Sequence, residues 1–308
     1  MIDFSEYPLV ETDWLAEHLL DSKLRIVDMR WRADGSGRKV YEAGHIPGAI
    51  HLDWQHDLNW TDKRGIRDLL LPSERFATVM EAVGISNDSL IIAYAETDHS
   101  GAARLWWALR YNGHDQVAVL NGGWTKWLAE GRAVSTDLPL HAPSRFTPQP
   151  RPRWLATADE IEHAVNETNP GVQLVDTRPP EQYSGHAIWT PRGSLFLPPG
   201  QDWIQVSAGK VMRTGHIPGA LNVHASTNLN QFDWTYLPLE ELKDKMRNAG
   251  IEPDQRVITY CGVGISASLG LFALYLAGYR DLALYDASWE EWGTDPRRSV
   301  VREGDKVT

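Results

Sequence analysis

The chain has 308 residues, 42% of them hydrophobic and 23% charged, with a formal net charge of −11. That length accommodates two domains, each with its own core, and the composition excludes disordered and fibrous classes. No apolar run approaches the roughly 18 to 20 residues of a membrane-spanning helix, and the acidic balance opposes a polyanion such as nucleic acid as partner. The opening residues, Met1 to Tyr7, lack a basic stretch followed by an apolar one, so no secretion signal is expected. A single cysteine, Cys261, forms no internal disulfide and leaves no cysteine pair for a zinc site. The expectation is a cytoplasmic protein without membrane contact, nucleic-acid partner, metal or cofactor.

Along the chain, an amphipathic stretch from Trp14 to Leu20 precedes the apolar run Leu24-Arg-Ile-Val-Asp-Met-Arg30. Then come Gly44-His-Ile-Pro-Gly-Ala49, a helical pattern from Glu74 to Val83, and Leu90-Ile-Ile-Ala-Tyr-Ala95. A helical stretch from Ala102 to Tyr111, Gly113, the run Val117 to Leu120 and Trp124 complete this half. The segment from His141 to Arg153 carries four prolines, which fix φ and bias their neighbours to extended conformations. It reads as a stretched linker.

After it the landmarks return in the same order. Val172-Gln-Leu-Val-Asp-Thr-Arg178 repeats the first run, Gly215-His-Ile-Pro-Gly-Ala220 repeats the turn letter for letter, and Arg256-Val-Ile-Thr-Tyr-Cys261 repeats the third. A helical stretch from Ala267 to Ala277, Gly278, the run Leu282 to Tyr285 and Trp289 follow. A repeat of this length is a duplicated domain. The expected units are 1–140 and 154–308, joined by 141–153. Continuous apolar runs alternating with amphipathic stretches predict an α/β fold in each, a mostly parallel sheet with helices on both faces.

In such sheets ligands sit beyond the carboxyl ends of the strands. Cys261 lies there, in Tyr260-Cys-Gly-Val-Gly-Ile-Ser266, with a helix following. Gly262 and Gly264 let the backbone curl without Cβ clashes, so the loop Gly262, Val263, Gly264, Ile265 and Ser266 is expected to aim N–H groups at the sulfur and stabilise an anion there. Ala95 occupies the equivalent place in the first half.

The whole chain resembles the tandem-domain rhodanese family of thiosulfate and 3-mercaptopyruvate sulfurtransferases. The resemblance rests on the two Asp-x-Arg segments, both Gly-His-Ile-Pro-Gly-Ala segments, the six-residue loop from Cys261 to Ser266, and Tyr285-Asp-Ala-Ser-Trp-Glu-Glu-Trp292. It implies two rhodanese-like domains, the first non-catalytic for want of the cysteine. It also implies ping-pong transfer of sulfane sulfur, from a small donor to a thiol or cyanide acceptor, through a Cys261 persulfide. The loop departs from both branches. Thiosulfate-type loops carry Arg and Lys where Gly262 and Val263 stand, mercaptopyruvate-type loops carry serine where Val263 stands, and Gln182 takes the place of a family arginine. A phosphatase or arsenate reductase needs Cys-x5-Arg, but Ala267 holds the arginine position. A non-catalytic persulfide sensor or partner-binding module is the alternative.

Arg178, Arg192, Arg213 and His45 are the candidate substrate-binding residues. Arg192 and Arg213 belong to an insertion: Asp28 and Gly44 are 16 positions apart, whereas Asp176 and Gly215 are 39 apart. The extra segment, about 189–213, includes Trp189, Phe196, Trp203 and Lys210 and is expected to be a long loop that forms either a wall of the Cys261 pocket or an interaction surface.

Overall fold

A computed structural model describes residues 4–142, 144–167, 171–190, 193–207 and 210–303. The first unit carries a five-stranded sheet in the order Leu9–Val10, Val117–Leu120, Leu90–Tyr94, Leu24–Asp28, Ala49–His51. Every neighbouring pair is parallel. The second unit repeats that order with Leu155–Ala156, Leu282–Tyr285, Arg256–Tyr260, Val172–Asp176 and Leu221–Asn222, again parallel throughout. Parallel neighbours need crossovers, which the intervening helices supply. The central strands are buried nearly end to end, as the unbroken apolar runs predict.

The two helices that follow the strand-end loops end alike. Ser100–Tyr111 is followed by Gly113 at φ +90°, and Ile265–Leu276 by Gly278 at φ +101°. His114 N–H reaches Leu109 O at 2.9 Å and Tyr279 N–H reaches Leu274 O at 3.1 Å, so each helix closes on a glycine in the left-handed region. Ile265–Leu276 buries every residue except Ser266, which makes it a core helix rather than an amphipathic one. Among the described residues no helix is long and apolar enough to cross a membrane.

The compact units do not follow the linear boundaries read from the sequence. The first comprises Met1–Trp60, Leu70–Trp154 and Leu229–Pro238; the second comprises Thr61–Leu69, Leu155–Asn228 and Leu239–Thr308. Each half of the sequence gives the other a short arm. Packing explains both. Ile66 sits in the second unit's core with Met212, Trp289 and Trp292, and Tyr236 is buried in the first unit, its N–H on Asn121 Oδ1 at 2.9 Å. The proline-rich stretch lies along the first unit: Phe146 is buried, and Gln149 N–H and Arg151 N–H bond Asn112 O and Tyr111 O at 2.8 and 2.7 Å.

The described residues of the insertion include strands, where a long loop was expected. Its extra residues pair their backbone groups in two antiparallel hairpins, Ala187–Thr190 with Gly193–Phe196 and Trp203–Ser207 with Lys210–Arg213.

Candidate active site

Strand Arg256–Tyr260 carries the chain to Cys261 and helix Ile265–Leu276 carries it away, so the sulfur sits between a strand end and a helix start. Cys261 is 2% exposed. The Gly264 N–H donates to its Sγ at 3.1 Å, and Gly264 itself adopts φ +82°. A Cβ on Gly264 would lie 2.6 Å from Asp286 O, so only glycine fits both the backbone angle and the space. Gly262 serves differently. A Cβ there would lie 3.3 Å from Cγ of Trp189, whose ring packs directly on the loop.

The loop carbonyls are tied back. Trp289 N–H bonds Cys261 O at 3.0 Å and Glu290 N–H bonds Gly262 O at 2.9 Å. With two carbonyls held away, the loop presents N–H rather than C=O to the sulfur, together with the positive end of a twelve-residue helix. Where several loop amides were expected at the sulfur, one contact is seen among the described residues, that of Gly264; the Cys261 N–H goes to Ser288 Oγ at 3.1 Å. Ser288 in turn donates to Tyr285 O at 2.8 Å, and it does so from a left-handed backbone, φ +49°. Such conformations cost about 1 to 3 kcal/mol outside glycine and persist where surrounding structure imposes them. The sequence motif contained Ser288, but only the folded loop reveals its bond.

Behind the loop lies a buried ion pair. Arg178 Nη2 contacts Asp176 Oδ2 at 2.5 Å and Gly215 O at 2.7 Å, and its guanidinium lies 4.4 Å from the Trp289 ring centre. Burial alone would lower the Arg178 pKa. Asp176 outweighs it and holds the value above the usual arginine range, with Tyr260 and Cys261 contributing. The first unit builds the same arrangement without a cysteine: Arg30 Nη2 contacts Asp28 Oδ2 at 2.6 Å and Gly44 O at 2.7 Å, 4.4 Å from the Trp124 ring. Arg178 is therefore a structural tie, not the substrate ligand expected from sequence. Removing one partner of such a pair costs about 3 to 5 kcal/mol.

The other candidates divide. His45 is wholly buried in the first unit, its ring nitrogens 2.9 and 3.0 Å from Tyr41 O and Asp137 O, so it holds a turn and is not open to substrate. Arg213 caps the turn after the last helix, its guanidinium bonding Trp292 O, Gly293 O, Asp295 O and Arg298 O at 2.6 to 3.2 Å. Its donors are taken by backbone carbonyls, so it too is structural. Arg192 lies outside the described residues. Of the insertion's aromatic residues, Trp189 meets the active loop, whereas Phe196 and Trp203 are 66% and 49% exposed. Gln182 is buried and donates to Ser194 Oγ at 2.9 Å.

A charged group missed by the sequence reading lies one residue beyond Trp289. The buried Glu290 carboxylate faces Arg67 at 3.2 Å and Lys210 at 3.3 Å. Arg67 belongs to the arm Thr61–Leu69 of this unit, and nothing local marks a residue so distant in sequence as a partner of Glu290.

Both the sequence and the fold are similar to those of known proteins. The Rhodanese-like domain family matches residues 11–130 and 157–295. The chain is 36% identical over 288 residues to the sulfur carrier protein TtuD of Thermus thermophilus, covering 92% of this chain and 93% of that protein. It is 30% identical over 318 residues to thiosulfate/3-mercaptopyruvate sulfurtransferase 2 of Arabidopsis thaliana, covering 96% and 86%. The crystal structure of the 3-mercaptopyruvate sulfotransferase SseA from Escherichia coli superposes with a TM-score of 0.75 at 27% identity, covering 92% of this chain and 98% of that one. Wild-type EanB shares the fold, with a TM-score of 0.78 at 24% identity over 98% of this chain and 71% of that chain. Two matched domains and relatives at this identity over nearly the whole length place the chain in the rhodanese-like domain family.

Proposed function

We propose that Cys261 of this sulfurtransferase takes the outer sulfur from a small donor, holds it as a persulfide and passes it to a thiol or cyanide. In the first half-reaction the Cys261 thiolate forms an S–S bond to the donor's outer sulfur. The donor's own bond to that sulfur breaks, and its electron pair leaves with the remainder of the donor. In the second, the acceptor's nucleophile attacks the outer sulfur of the persulfide, and the Cys261 thiolate departs with the electron pair of the S–S bond. Each step conserves electrons, and no cofactor is required.

The observation that carries this reading is the Gly264 N–H directed at Sγ at 3.1 Å at the start of a buried helix, with the loop carbonyls bonded to Trp289 and Glu290. A fixed donor aimed where negative charge resides stabilises both the attacking thiolate and the persulfide anion. A cysteine that must return to a free thiol also fits a reducing compartment such as the cytoplasm.

A second reading, a module that holds a persulfide without turning over, draws on the 2% exposure of Cys261. Steady-state turnover separates the two. Wild-type protein should transfer sulfur from thiosulfate or 3-mercaptopyruvate to cyanide over many cycles, and Cys261→Ser should abolish this while keeping the same melting behaviour. More than trace activity in a well-folded Cys261→Ser protein would exclude the mechanism, and a single turnover by wild type would favour the module.

A further inference from the structure

The segment that lengthens the second half lays an aromatic ring on the active loop. A Cβ on Gly262 would find its three nearest atoms in one side chain, Cγ, Cβ and Cδ2 of Trp189, at 3.3, 3.4 and 3.6 Å. Gly262 directly follows Cys261 in the chain, and both are buried. The indole thus takes the room that a side chain on Gly262 would fill.

Cross-strand register fixes how this ring is held. Trp189 stands opposite Ser194 in the antiparallel pair, so the two side chains share a face. Ser194 Oγ donates to Glu181 Oε1 at 2.6 Å and accepts from Gln182 Nε2 at 2.9 Å, which ties that face to helix Pro180–Tyr183. The helix leaves strand Val172–Asp176, whose Asp176 is level with Tyr260 on the neighbouring strand. Adjacent strands lie about 4.8 Å apart, so the hairpin rises from the sheet edge on which Cys261 stands. Ala187 and Ile188 are buried and root it, Trp189 is half-buried, and the partner strand Gly193–Phe196 is exposed except at Ser194.

A substrate must reach a sulfur that is 2% exposed, and the ring at position 189 sets the room beside it. Resting on the persulfide reading of Cys261, we propose that Trp189 is a specificity-determining residue that admits slender sulfur donors and excludes those with bulk next to the transferred sulfur. Ser194, Glu181 and Gln182 are positioning residues, which act through the hairpin. The favoured class is a donor whose outer sulfur is borne on a small group.

The test uses the full chain and two pairs of reagents that differ in bulk at constant charge. One pair is iodoacetamide and iodoacetanilide; the other is methanethiosulfonate and benzenethiosulfonate. In alkylation the Cys261 thiolate forms a C–S bond and iodide leaves with the electron pair, so access is read without sulfur transfer. With either thiosulfonate the thiolate bonds the outer sulfur, and sulfinate leaves with the electron pair of the broken S–S bond. Each variant is read as the ratio of rate constants, bulky over slender, which a uniform loss of folded protein leaves in place. Trp189→Leu should raise both ratios by about tenfold, and Trp189→Phe by less. Ser194→Ala keeps the ring but releases its tie, and should raise them by about two- to threefold. Unchanged ratios in Trp189→Leu overturn the proposal, and so does a fall, which would mean that the ring binds aromatic reagents rather than excluding them. If the alkylation ratio rises but neither thiosulfonate loads sulfur onto wild type, the Cys261 reading fails while the role of Trp189 stands.

Discussion

The two halves share a buried Asp-Arg-Trp stack and differ in what covers the loop at the strand end. In the first, Ala95 O accepts Trp124 N–H at 2.8 Å, as Cys261 O accepts Trp289 N–H at 3.0 Å in the second. In the first, however, His99 follows the loop, its Nε2 lies 2.7 Å from Trp234 O, and its ring stacks on Tyr236 with centres 5.7 Å apart. That arm, Leu229–Pro238, packs on His99 at the end of the first loop, whereas in the second half Trp189 packs on Gly262. The position before the tryptophan differs too: Gly123 at φ +51° in one half, Ser288 at φ +49° in the other, where its hydroxyl takes the Cys261 N–H. A duplicated fold thus keeps its scaffold in both copies and carries the cysteine and its Gly-x-Gly loop in one.

The sharpest attempt to break this contrast moves the cysteine. Ala95→Cys in a Cys261→Ser background should yield no sulfur transfer above the level of Cys261→Ser alone. The first loop, Glu96-Thr97-Asp98, lacks the Gly-x-Gly curl and lies beneath Tyr236. Measurable turnover would show that the strand-end position suffices without the loop.

Next in size is Gly264→Ala. A methyl group 2.6 Å from Asp286 O, on a backbone at φ +82°, must displace the loop. Stability should fall by about 2 to 4 kcal/mol in denaturant unfolding, and transfer should fall further than stability explains as the N–H leaves Sγ. Wild-type kinetics in this variant would remove Gly264 from the account.

Much of this was legible in the sequence because the repeat is written in short-range signals. Apolar runs mark strands, Gly113 and Gly278 mark helix ends, and the cysteine stands between a run and a helix. What stayed hidden depends on contacts between residues distant in sequence. Arg178 looked like a ligand until its duplicate, Arg30, showed the same contacts where there is no cysteine. Arg213 looked free until its guanidinium was seen capping four carbonyls. The exchanged arms, and with them Arg67, carry no local pattern that predicts which core they enter.

The smallest expected effect concerns pH and the first half's covered loop. Burial holds the His99 pKa below its ordinary 6.5, opposed only in part by the Trp234 carbonyl and Asp98. The folded value lies below the unfolded one, so this contribution to stability is present above the unfolded value and is lost as pH falls from there through the folded value. Wild-type Tm should drop between roughly pH 7 and pH 5.5 by a few degrees more than that of His99→Gln, read by calorimetry. Equal slopes would mean that His99 does not hold the arm.

The most direct test of the central claim is the intact mass of the full chain after brief exposure to thiosulfate, 3-mercaptopyruvate or polysulfide in turn. The account predicts that wild type gains the mass of one sulfur atom, loses it when a thiol or cyanide is added, and that Cys261→Ser gains nothing. A sulfur-sized gain on Cys261→Ser, or no gain by wild type with any of the three donors, would contradict it.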